Sequence, residues 1–338
     1  MAQKILLLYT GGTIGMVRSA ANAPLKPFDF SNLLKQIPEL SLLDCEITPK
    51  TLDKPLDSSD IQPNNWISIA KVIEENYNDF DGFVILHGTD TMAYTASALS
   101  FIFENLKKPI ILTGSQLPIG DLRTDAKENL ITALHFASII DAPHPLPEAC
   151  VYFEYKLYRG NRVTKISAEN FKAFASPNYP TLADSGVHLH LNKEVIAKTN
   201  HLPTLFHHQF QERIMLIKLF PGMQNNWFDF IIEKDIKGLI IETYGSGNAP
   251  SNLDFLKGLE RIVAHQIPIL NITQCYGGSV QQGLYANSKT LAEIGIISGN
   301  DLTTEAAIAK MMFLLALEDK QTFDTLITQD LRGEMSVI

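Results

Sequence analysis

The chain has 338 residues, 45% of them apolar and 19% charged, which is ample material for more than one small core. Its 28 lysines and arginines face 37 aspartates and glutamates, a formal charge of -9, and no basic run is interleaved with aromatics. That balance excludes a phosphodiester-coating protein, and the lack of any apolar stretch approaching 18 residues argues against a membrane span.

Met1-Ala2-Gln3-Lys4 leads into an apolar run too short for a signal-peptide core, so the cytoplasm is the expected compartment. Short apolar runs predict strands over 4–9, 82–86, 110–113 and 151–154. Helical spacing predicts amphipathic segments near 63–76, 92–104 and 125–139, with Ile67, Ala70, Ile73 and Tyr77 repeating on one face. Asp60 is the expected cap of the first helix and Pro63 lies in its first turn. This alternation predicts βαβ units and a largely parallel sheet. A polar, aperiodic stretch with Pro203 follows, read as an edge piece over 189–211 that runs into a linker. The rhythm then restarts with strands at 213–219, 238–241 and 268–272 and helices at 226–234, after 252 and at 303–318. The expected fold is therefore α/β in two domains. Residues 1–190 form a larger, mostly parallel sheet with flanking helices, 191–212 a linker, and 213–338 a smaller doubly wound domain.

Chemistry is expected where apolar strands end in side-chain-poor turns. The first such turn is Thr10-Gly11-Gly12-Thr13-Ile14-Gly15. It reads as a tight turn, as a phosphate cradle, or as a mount for the Thr13 hydroxyl. It is no P-loop, because no Gly-Lys-Ser/Thr follows, and it departs from the dinucleotide spacing. A hydroxyl serves as a nucleophile only where a base takes its proton. The second turn, His87-Gly88-Thr89-Asp90-Thr91, holds more polar side chains than one helix cap needs. His87 ends the strand as a buried, hydrogen-bonded residue. Asp57-Ser58-Ser59-Asp60 reads either as a cap cluster or as a grip for a zwitterion's two charges. In Arg159-Gly160-Asn161-Arg162-Val163-Thr164-Lys165 the cations read as solvated surface, unless a lysine drawn in beside Asp90 supplies the missing base. Tyr244-Gly245-Ser246-Gly247-Asn248-Ala249-Pro250 is another strand-end turn, ordinary or ligand-facing through Asn248. The histidines at 188, 190, 207 and 208 lack companion cysteines or carboxylates, and Cys45, Cys150 and Cys275 are widely spaced. Neither a metal site nor a disulfide framework is expected.

With these segments in hand, the chain resembles the bacterial-type L-asparaginases, in their cytoplasmic type I branch. Thr10–Gly15 and Gly82–Met92 carry the two family signatures in full. The likeness extends through 57–60, 113–116, 158–165, 245–250, 273–275 and 331–334. The resemblance implies hydrolysis of L-asparagine to L-aspartate and ammonia with neither metal nor cofactor. It implies Thr13 as the nucleophile of an acyl-enzyme, Thr89 and Lys165 as proton carriers, and Asp90 in a closed pocket gripping the substrate ammonium. Asp57, Ser58, Ser59 and Gly88 would hold the α-carboxylate side of the substrate. It also implies a homotetramer, a dimer of dimers whose sites lie at protomer interfaces, with Asn248 lent across. Two departures stand out. The family's lid tyrosine has no counterpart in 16–30, where Ala23-Pro24 stand. A regulatory asparagine site near Thr273 and Cys275 would meet Glu242 where an arginine is expected, which predicts that such regulation is lost. Rival readings are an enzyme acting on glutamine, which differs by one methylene worth about 1–3 kcal/mol in a pocket, and a non-catalytic binder of amino acids or nucleotides.

Overall fold

The computed structural model describes residues 2–18, 25–27, 37–139, 146–283, 286–317 and 319–336. The chain divides into two compact units, Met1–His208 and Gln209–Ile338.

The first unit holds an eight-stranded sheet. Its strands are β1 (Gln3–Gly11), β2 (Cys45–Leu56), β3 (Gly82–Leu86), β4 (Ile110–Thr113), β5 (Ala149–Phe153), β6 (Lys156–Arg159), β7 (Ala183–Ser185) and β8 (Leu189–Leu191), in the spatial order β8-β7-β6-β5-β4-β3-β1-β2. The pairs β2/β1, β1/β3, β3/β4 and β4/β5 are parallel, and the pairs from β5 to β8 are antiparallel. Ile5 to Gly11 are all buried, as a central parallel strand covered on both faces requires. Each such aliphatic side chain contributes roughly 1.5–3 kcal/mol on burial. The helices α1 (Pro63–Glu75), α2 (Met92–Ile102) and α3 (Ala126–Ala137) follow β2, β3 and β4.

The parallel part of the sheet thus runs 2-1-3-4-5. Chain direction across the sheet reverses between β1 and β3. Such a switch point leaves a crevice at the carboxyl ends of the two strands.

Three details differ from the sequence reading. β2 was not anticipated, because it is a mostly exposed edge strand carrying Pro49, Pro55, Lys50 and Lys54, residues that blunt an edge and erase the apolar signal. The cap of α1 is Gln62, in a reciprocal box with Asn65, rather than Asp60. The run at 151–154 is one arm of the β5/β6 hairpin, whose turn places Glu154 and Tyr155 at positive φ. Within 191–212, Leu205–Phe206 lies antiparallel to Phe103–Glu104.

The second unit carries a four-stranded parallel sheet in simple sequential order: β9 (Ile214–Lys218), β10 (Gly238–Thr243), β11 (Ile269–Thr273) and β12 (Ile297–Ser298). Its helices are α4 (Trp227–Glu233), α5 (Leu253–Ala264), α6 (Ala286–Ile294), α7 (Thr304–Leu315) and α8 (Lys320–Leu326). Trp227, Phe228, Leu239, Ile241, Leu259 and Ile269 belong to its core.

Candidate active site

Three turns converge at the switch point. Gly11 and Gly12, at the end of β1, have φ of 128° and 88°, values that suit glycine. A Cβ at Gly12 would overlap the Gly88 nitrogen and Cα, so the turn after β1 and the turn after β3 touch through their backbones. A Cβ at Gly88 would in turn lie 2.7 Å from the Ser58 Cβ and 3.3 Å from the Gly12 Cα. Glycine at 12 and 88 is what lets the turns that carry Thr13, Ser58 and Thr89 meet. Thr10 Oγ1 donates to the Leu86 carbonyl at 2.9 Å, and Thr91 Oγ1 donates to the Ser58 carbonyl at 2.6 Å, tying the three turns together.

Thr13 opens a short 3-10 turn, Thr13–Gly15, and is half-buried. Among the described residues its hydroxyl makes no hydrogen bond. Thr89 is the opposite case. Its hydroxyl accepts from Lys165 Nζ at 2.8 Å and donates to Gln116 Oε1 at 3.3 Å. Lys165 Nζ also reaches Asp90 Oδ1 at 2.6 Å. The lysine side chain is 18% exposed, whereas that of Asp90 is 62% exposed. This is the lysine that one of the two readings of segment 159–165 drew in beside Asp90. The chain supplies a cation itself, on one carboxylate oxygen, and the group is open to solvent.

Lys165 lies in a two-residue strand, Thr164–Lys165, paired with Phe174–Ala175. The arginines upstream are not the solvated cations expected from sequence. Arg159 and Arg162 are buried, Arg159 pairs with Glu148 at 2.6 Å, and both guanidinium groups lie over the Tyr179 ring.

Asp57 accepts from both the backbone N–H and the hydroxyl of Ser59 at 2.9 Å. Those bonds, the backbone one foremost, hold its carboxyl below the ordinary value. Ser58 is buried against Gly88. His87 is buried, its Nδ1 on the Gly88 carbonyl at 2.7 Å and its Nε2 on Thr95 Oγ1 at 2.9 Å. A carbonyl accepts, so Nδ1 carries the proton and Nε2 receives one. Burial pulls the imidazole down to about 4, and the ring is neutral at working pH. Gln116 had no role assigned from sequence. It follows the glycine turn at the end of β4, and its own N–H is fixed by Asp125 at 2.9 Å. That third strand-end turn was the available signal.

The remaining candidates lie in the second unit. Asn248 exchanges backbone hydrogen bonds with Tyr244 at 2.8 Å. Thr273 Oγ1 donates to the Gly245 carbonyl and accepts from the Cys275 N–H at 3.0 Å. Glu242 is buried, accepts from Thr304 Oγ1 at 2.7 Å and faces Lys218 at 3.4 Å. A cavity of about 620 Å³ opens beside Arg213, Lys237 and Pro268, near the N-terminal ends of the strands, and no candidate residue lines it. Of the expected lid stretch, 16–18 and 25–27 pair as antiparallel strands, while Ala23-Pro24 lie outside the described residues. Among the described residues no cluster of three His, Cys, Asp or Glu side chains could hold a metal, and no helix is long and apolar enough to cross a membrane.

An open α/β sheet whose switch point joins the Thr13 turn to the turn carrying Thr89 and Asp90, both bonded to Lys165, defines a class, the α/β proteins that present polar side chains in a strand-end crevice. Comparison with known proteins makes this particular. Residues 4–197 match the family description "Asparaginase, N-terminal" and residues 213–324 match "Glutaminase/Asparaginase C-terminal domain". The chain is 41% identical to L-asparaginase 1 of Escherichia coli K12, over 99% of this chain and 98% of that protein. It is 39% identical to the 60 kDa lysophospholipase of Mus musculus, over 99% of this chain and 63% of that longer protein. The crystal structure of L-asparaginase I from Vibrio cholerae superimposes with a TM-score of 0.91 at 38% identity, covering both chains fully. The chain belongs to the asparaginase family, and it is a hydrolase acting on an amide.

Proposed function

We propose that this protein hydrolyses the side-chain amide of L-asparagine, giving L-aspartate and ammonia through an acyl ester on Thr13. The observation that carries the reading is the contact of Gly12 with Gly88, which joins the Thr13 turn to a Thr89 hydroxyl already bonded to Lys165. The two hydroxyls divide the work. Thr89 is committed both as donor and as acceptor, while Thr13, which makes no hydrogen bond among the described residues, is the one left to attack. Thr13 Oγ1 adds to the amide carbon and its proton passes to the Thr89–Lys165 pair. That pair then protonates the departing nitrogen, which leaves as ammonia. Water enters, gives its proton to the same pair and cleaves the ester, restoring the Thr13 hydroxyl.

Only one oxygen of Asp90 is engaged by Lys165. The other is placed for the substrate ammonium, whose arrival sets a second positive charge beside the lysine and favours release of its proton. Substrate binding thereby prepares the base. Ser58, Ser59 and Gly88 take the α-carboxylate, with Asp57 fixing Ser59. In this reading the enzyme works in the cytoplasm without a cofactor, as a homotetramer in which each site receives Asn248 from a second copy.

The test is ammonia release from L-asparagine and L-glutamine over a concentration series, with no metal or nucleotide added. Hyperbolic release from asparagine is expected, since Glu242 with its partners opposes a regulatory carboxylate near Thr273 and Cys275. Absence of ammonia release from asparagine overturns the proposal.

A further inference from the structure

The Tyr244–Asn248 turn is held far more firmly than a strand-end loop needs. Its two ends exchange backbone hydrogen bonds at 2.8 Å in both directions. The three carbonyls between them are each taken by a donor from outside the turn. Gly245 receives the Thr273 hydroxyl, Ser246 the backbone N–H of Gln281, and Gly247 the Asn271 amide at 3.3 Å. Loops usually leave such carbonyls to water. Gly245 and Gly247 add positive φ values of 50° and 106°, and a Cβ at Gly247 would lie 3.3 Å from Asn271 Nδ2 and 2.7 Å from Val280 Cγ1.

Asn271 is the polar exception in the middle of β11. It is fully buried opposite Ile241. Its side chain makes two hydrogen bonds. Oδ1 accepts from Thr243 Oγ1 at 2.6 Å, and Nδ2 donates to Gly247. The Gly247 carbonyl can only accept, so Nδ2 faces it and Oδ1 faces the Thr243 hydroxyl, which also lies 3.3 Å from the Ile272 carbonyl. A buried amide held by a hydroxyl and spent on one loop carbonyl is a device for aiming that loop.

We infer that Asn271, oriented by Thr243, is a positioning residue that aims Asn248 at the substrate. The inference rests on the reading above that Asn248 touches the substrate in the assembled protein. Preorganisation of a binding group lowers the cost of binding rather than the chemical barrier, so its loss falls on KM.

The test is a mutant cycle on the assembled protein with L-asparagine as substrate. Asn248→Ala, Asn271→Leu and the double variant are compared, each checked for native melting and oligomer size. Asn248→Ala is expected to raise KM about tenfold, Asn271→Leu to raise it about three- to tenfold with kcat within about twofold, and the double variant to match Asn248→Ala alone. Thr243→Val should reproduce the Asn271→Leu effect without touching that residue, and Thr243→Ser should restore the original KM. A further KM increase in the double variant, or unchanged KM in both Asn271→Leu and Thr243→Val, overturns the inference and leaves Asn248 intact as a substrate contact. Unchanged KM in Asn248→Ala overturns the Asn248 reading itself, and this inference with it.

Discussion

The two sheets differ in strand order, and their polar residues differ accordingly. The first runs 2-1-3-4-5 and so has a switch point, with a crevice at the ends of β1 and β3. Hydrogen-bonding capacity is left open there: the Thr13 hydroxyl makes no bond among the described residues, and Asp90 uses one oxygen. The second sheet runs in sequence and has no switch point. The polar groups in its strands and at their ends are consumed internally, as Asn271, Thr273 and Glu242 show. A sheet with a crevice can keep reactive groups in waiting, whereas one without it serves to present a fixed turn.

The largest effect that would break this contrast is on the open hydroxyl. Thr13→Ala should lower kcat on the order of 10³-fold or more while substrate binding, read by protection against thermal unfolding, persists. Near-normal turnover would return Thr13 to the role of a turn residue. In the second unit the largest effect should be on stability. Lys310 and Glu334 form a fully buried pair at 2.7 Å, with Glu334 also accepting from the Leu331 and Arg332 N–H groups. Burial pulls the lysine down, while Lys310 and the backbone donors outweigh burial and hold the glutamate low. Glu334→Ala leaves an unpaired ammonium in the core and should cost about 3–5 kcal/mol in denaturant unfolding. A loss below about 1 kcal/mol would show that the pair is not what fastens the chain end to α7.

Asp90→Ala should act mainly through KM, raising it about tenfold, the scale of one charged hydrogen bond at a partly open position. A loss confined to kcat would assign Asp90 to the lysine alone. The smallest effect concerns His87. Its folded value of about 4 lies below the ordinary 6.5, so the unfolded chain takes the proton first. The stability it contributes is complete above about pH 6.5 and drains as pH falls toward 4. Between pH 7 and 4.5 this amounts to about 2 kcal/mol, or about 5 °C in Tm. His87→Asn should flatten the wild-type Tm decline by that margin, and an unchanged slope would contradict it.

The first unit was legible in sequence wherever one strand's own residues carried the signal. Buried parallel strands such as Ile5–Tyr9 and Gly82–Leu86 announce themselves by unbroken apolar runs, and glycines at 11, 12 and 88 mark the places where backbones must touch. What escaped depends on distant partners. β2 is an exposed edge with prolines, and Arg159 and Arg162 look like surface until Glu148 and Tyr179 are seen beneath them. Lys165 beside Asp90, 75 residues away, was one of two readings its segment allowed, and only the bond itself decides between them. Gln116 and Asn271 are single amides whose purpose is visible only in the bond each makes.

The most direct measurement maps the covalent intermediate. The Lys165→Met variant, which should slow ester hydrolysis, is mixed with L-asparagine, quenched in acid and digested with trypsin. The sequence places Thr13 in the peptide 5–18 and Thr89 in 72–107. The account predicts an aspartyl ester on peptide 5–18 at Thr13. An ester on Thr89, or a stoichiometric burst of ammonia with Thr13 unmodified, would contradict it.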